Sequence, residues 1–100
     1  MAKLITVYWR DIPAQVIAKR GRDSAKVPLP QRFHDAIDRA AMRAGKGSSE
    51  AYMEDWRRDS RACGDDLQTE AQAAADSLVA VWPDELLETT TKAKGLKPQE

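Results

Sequence analysis

Two hydrophobic periods divide this chain. Residues 3–10 read Lys-Leu-Ile-Thr-Val-Tyr-Trp-Arg, a run of β-branched and aromatic side chains that predicts a strand. Ile5, Val7 and Trp9 fall on one of its faces, assigned to the core, and Leu4, Thr6, Tyr8 and Arg10 fall on the other. Apolar residues on both faces suit a central position in a sheet. Pro13 suits a turn, and residues 15–20 (Gln-Val-Ile-Ala-Lys-Arg) then predict a second strand, making a hairpin. Residues 21–30 are polar and carry Pro28 and Pro30, which predicts a loop.

From Pro30 onward the period lengthens. Proline is at home in the first turn of a helix, where its missing N–H has no partner to lose. Phe33, Ile37, Ala40, Ala41 and Ala44 follow at i, i+4, i+7, i+8 and i+11, one apolar stripe that ends at Gly45 and Gly47. Asp65 with Gln68 three residues on resembles a capping box, and Leu67, Ala71, Ala74, Ala75, Leu78 and Trp82 trace a second long helix closed by Pro83. Residues 84–88 add one amphipathic turn. Residues 89–100 are polar, rich in lysine and aperiodic, and predict a frayed tail.

Residues 48–61 support two readings, because Tyr52 and Trp56 share a face in a helix as well as in a strand. The need for a third strand favours the strand. The expected fold is therefore α+β, a small antiparallel-containing sheet of order ββαβα covered on one face by two helices. Phe33, Ile37, Leu67, Leu78 and Trp82 are the expected core contributions of the helices. One domain over residues 1–88, followed by a flexible tail over 89–100, fits a chain of 100 residues.

Charge narrows the functional classes. Sixteen basic and sixteen acidic residues cancel, whereas a general nucleic-acid or anionic-membrane binder carries a basic excess. No apolar run reaches the ~20 residues that span a bilayer, and residues 1–5 lack the apolar stretch of a secretory signal. A single cysteine, Cys63, gives no internal disulfide and fits a reducing compartment. The expected location is the cytoplasm.

No phosphate-binding glycine loop, nucleophile elbow or zinc motif is present. His34, the one histidine, stands a helical turn from Asp38, and two ligands do not hold a metal. Cys63 precedes a helix start, but Asp65 and Asp66 beside it oppose a thiolate. The expectation is no catalytic residue, no metal and no cofactor. The remaining constellation mixes arginine with aromatics, the residue types that dominate binding hot spots. If residues 48–61 form a strand, Tyr8, Arg10, Tyr52, Glu54, Trp56 and Arg58 gather on the sheet face the helices leave open. The alternative is that Tyr52 and Trp56 pack in the core.

The opening Ile-Thr-Val-Tyr-Trp-Arg-Asp-Ile-Pro-Ala-Gln-Val of residues 5–16, with residues 33–44 and 51–58, resembles a bacterial family of small proteins labelled "virulence factor", related to a domain of conserved virulence factor C. The resemblance spans about residues 3–85 and carries no catalytic or ligand position. It implies a protein-interaction setting, because longer members join this domain to HEAT-like repeats. A looser association with folate-linked one-carbon genes implies, as a further alternative, a subunit assisting such an enzyme. The leading expectation is a non-catalytic accessory domain binding another protein or a second copy of itself. The other alternative is a nucleic-acid or small-anion binder using Arg10, Lys19, Arg20, Arg57 and Arg58.

Overall fold

A computed structural model describes residues 2–45, 53 and 55–96. Four antiparallel strands form one sheet: β1 (Ala2–Trp9), β2 (Ile12–Arg20), β3 (Asp23–Pro28) and β4 (Trp56–Cys63), in the order β3-β2-β1-β4. Three helices of the described residues accompany it: α1 (Gln31–Arg43), α2 (Leu67–Val81) and α3 (Asp84–Lys92). The fold is α+β, with one strand and one helix more than the periods alone predict.

The extra strand lies where a loop was expected. Asp23–Pro28 pairs with Gln15–Arg20 through a turn at Gly21, whose φ of 58° is open to glycine without strain. It is an edge strand, so proline is tolerated at Pro28 and only Ala25 and Val27 are half-buried. Within the ambiguous stretch the residues from Trp56 onward form a strand, which extends to Cys63, past the predicted end. Tyr52 and Glu54 lie outside the described residues.

The expected tail is also corrected. Helix continues to Lys92, and Thr90, Thr91 and Gly95 are buried. The threonine hydroxyls of Thr89, Thr90 and Thr91 each donate to the carbonyl four residues back, at 2.8–2.9 Å, so a polar run is accommodated in a helix. The cap of α2 is Asp66 rather than Asp65: its carboxylate accepts from the Thr69 N–H at 3.3 Å.

One core joins these elements. Leu4, Ala14, Val16 and Ala18 of the sheet meet Phe33, Ile37, Ala40, Ala71, Ala75, Trp82 and Leu87. Helix α2 packs along β2 and β3 through alanines, which lets the backbones approach, while α1 lies against β2 and α3. Phe33, Ile37 and Trp82 are buried as expected, but Leu67 and Leu78 are only half-buried.

The inward row of β1 is the reverse of the predicted one. Leu4 and Thr6 pair with Ala18 and Val16, whereas Ile5 and Val7 pair with Ile17 and Gln15; Val7 and Ile17 are buried, but outside the cluster that joins the sheet to the helices. A register shift between Val7 and Tyr8 places Ala14 as an extra residue in β2. Such a bulge re-aims the chain. Beyond it Trp9 and Ile12, paired with each other, are fully buried in the core.

Candidate functional site

The register assigns the positions on the outer face of the sheet, the face turned away from the shared core. Across the strands they form rows: Ser24, Lys19, Lys3 and Ala62; Lys26, Ile17, Ile5 and Ser60; Pro28, Gln15, Val7 and Arg58. Ile5 is half-buried and Val7 and Ile17 are nearly covered, so they form an aliphatic centre. Lys3, Lys19, Lys26 and Arg58 stand exposed around it. None of these cations makes an ion pair among the described residues, and no carboxylate occupies any position in the rows. One end of the face dips into a depression of about 580 Å³ lined by Val7, Gln15, Met53, Trp56, Arg57 and Arg58.

Of the candidate residues, the structure brings Trp56 and Arg58 to this depression and separates them from Tyr8, while Arg10 meets Trp56 in a neighbouring depression of about 480 Å³. Tyr8 follows Leu4 and Thr6 to the other face. There it is half-buried in a groove of about 290 Å³ between the sheet and Ala73, Ala74, Ser77 and Leu78 of α2. The Arg57 guanidinium stacks 4.5 Å from its ring. Burial pushes the Tyr8 hydroxyl above its usual value near 10.0, and the Asp59 charge adds to the rise; Arg57 and a hydrogen bond with Thr6 oppose it. Trp56 is half-buried and touches the core edge while also lining the depression.

Arg10 has a structural task. With φ at 53°, it turns the β1–β2 hairpin. Its backbone N–H donates to the Asp55 carbonyl at 3.0 Å, its Nε donates to Asp55 Oδ2 at 3.2 Å, and its Nη1 donates to the Lys94 carbonyl at 2.7 Å. The next N–H, of Asp11, donates to the Gly95 carbonyl at 3.0 Å. Arg57 completes the clamp, donating from Nε to the Arg10 carbonyl at 3.0 Å and from Nη1 to Asp59 Oδ2 at 3.0 Å, and approaching Asp11 at 3.6 Å. These donors are spent on holding three parts of the chain together.

The other basic candidates divide in the same way. Arg20 faces Asp65 at 3.5 Å, whereas Lys19 belongs to the outer face. Lys3 was missed because its row in β1 was assigned to the core, and Lys26 because its segment read as a loop. Among the described residues no group of three or more metal-ligating side chains exists, and Cys63 is a free, half-buried thiol. No helix of the described residues is long and apolar enough to cross a membrane.

The geometry defines a small α+β domain with a two-sided sheet, one side built into a core and the other basic with an aliphatic centre. The family model described as "Virulence factor" matches residues 7–90, and the chain belongs to that family. No curated protein and no solved structure matches it.

Proposed function

We propose that this is a non-catalytic binding module that docks another protein on the outer face of its sheet. The observation that carries the reading is half-buried Ile5, with buried Val7 and Ile17 beside it, ringed by four cations that make no ion pair among the described residues, next to a depression that Trp56 and Met53 line. An apolar centre within a charged rim is the usual anatomy of a protein interface. Trp56 and Arg58 keep their proposed binding role, with Tyr52 and Glu54 next to them in the chain. Tyr8 and Arg10 support the site from behind. The lone thiol fits a reducing compartment, and the module is read as cytoplasmic.

The test is site-directed photo-crosslinking in cells that make the protein. A photoreactive residue at Ser60, in the middle row of the outer face, should give a discrete protein adduct, and one at Gln72, on the exposed side of α2, should not. Equal adducts from both positions, or none from Ser60, overturn the reading. An adduct the size of a second copy identifies a homo-oligomer as the partner.

A further inference from the structure

Resting on that reading of the outer face, we propose that its partner segment is an acidic polypeptide stretch carrying aliphatic residues, which lays carboxylates between Lys3, Lys19, Lys26 and Arg58. The argument begins with an asymmetry. The whole chain balances sixteen cations against sixteen carboxylates, yet the outer rows hold four cations and no carboxylate. Elsewhere cations and carboxylates intermingle, and five cations are neutralised within the fold: Arg10 by Asp55, Arg20 by Asp65, Arg32 by Asp84, Arg57 by Asp59 and Lys92 by Glu88. A field of one sign on one face attracts a ligand of the other sign and speeds its encounter.

Pairing sharpens the point. Lys3 lies directly opposite Lys19 on the neighbouring strand. Like charges opposed across a sheet destabilise it, so the free protein carries a repulsion that a bound carboxylate removes. The face also distinguishes between anions. Single-stranded nucleic acid is held by stacking bases on aromatic rings, and the rows between the cations hold Ile5, Val7, Ile17 and Gln15 instead, of which Ile5 and Gln15 are part-exposed. Trp56 lines the depression at one end, but Tyr8 is turned into the groove beside α2, so the described rows carry no succession of rings for stacked bases. Aliphatic side chains alternating with carboxylates match this surface; a phosphodiester chain does not.

Three probes test the proposal on the full chain: a peptide alternating glutamate and valine, the matching glutamine–valine peptide, and an oligothymidylate of the same charge. Binding is followed through backbone amide chemical shifts. The glutamate peptide should shift Ile5, Ile17 and Lys19, and its affinity should fall ~10-fold or more from low to physiological salt. Lys19→Glu should weaken it by a comparable ~10-fold, while Arg39→Glu, an exposed cation on α1, leaves it unchanged. Equal loss from both variants means diffuse attraction and overturns the proposal. Tighter binding of the oligothymidylate replaces it with a nucleic-acid site. Equal binding of the glutamine peptide removes the acidic requirement and leaves the docking face itself standing, whereas absence of any shift on this face with the glutamate peptide rejects the acidic partner outright. The docking reading fails separately, by the crosslinking outcome.

Discussion

At the scale of single residues, Trp9 shows how a strand pattern can mislead. Strict alternation groups it with Ile5 and Val7, and it is buried, but for another reason: the bulge at Ala14 redirects it, and the segment after α3 closes over its ring. Gly95, at φ 88°, comes so close that a Cβ would sit 2.6 Å from a Trp9 ring carbon. Gly95→Ala should therefore destabilise the fold by about 2 kcal/mol or more, combining a left-handed backbone with a clash. Trp9→Ala should cost about 3–5 kcal/mol. Chemical denaturation of both variants checks the two values, and a Gly95→Ala protein as stable as the parent would mean that this segment does not pack on Trp9. Tyr8 yields a pH prediction. Its folded-state value lies above the unfolded one, so between the two the folded chain holds the extra proton, and stability falls as pH rises through about 10. Tyr8→Phe should lose that part of the alkaline decline, read as a smaller difference in unfolding free energy between neutral and strongly alkaline buffer.

Elements were legible in proportion to the strength of their period. The stripe of Phe33 and Ile37 located α1 almost to the residue, and Pro83 ended α2 as expected. The edge strand β3 was hidden because its side chains are mostly exposed, and Ala25 and Val27 alone make too short an alternation to read. Helix α3 was hidden because Thr89, Thr90 and Thr91 have weak helix propensity, and only their bonds to carbonyls one turn back reconcile them with it. The candidate site was legible only in part, since Trp56 and Arg58 reach the outer face while parity misplaced Tyr8. Membership of a face requires the register of neighbouring strands, a non-local property. The cap of α2 gives an element-scale test. Asp66→Ala should cost about 1 kcal/mol, having lost the acceptor for Thr69. Asp65→Ala, which loses only an exposed pairing with Arg20, should cost less than ~0.5 kcal/mol. The reverse ranking in urea melts would restore Asp65 as the cap.

For the whole molecule, the outer face sets stability against recognition. Lys19→Glu should raise stability by about 0.2–1 kcal/mol, because it turns the Lys3–Lys19 repulsion into an attraction. The same change should weaken an acidic ligand, so stability and affinity should move in opposite directions in one variant. A thermal melt beside a binding titration shows this, and a variant that loses both would mean that Lys19 is needed for the fold. The clamp around Arg10 acts over a longer span of chain. It joins the first hairpin to carbonyls at Lys94 and Gly95, with β4 between them through Arg57. During synthesis the hairpin leaves the ribosome first, with Trp9 lacking its cover. That cover arrives only when the residues around Gly95 have cleared the exit tunnel. Native burial of this tryptophan is thus a late event in the synthesis of this domain, and until then the nascent chain presents an uncovered indole that a chaperone can hold.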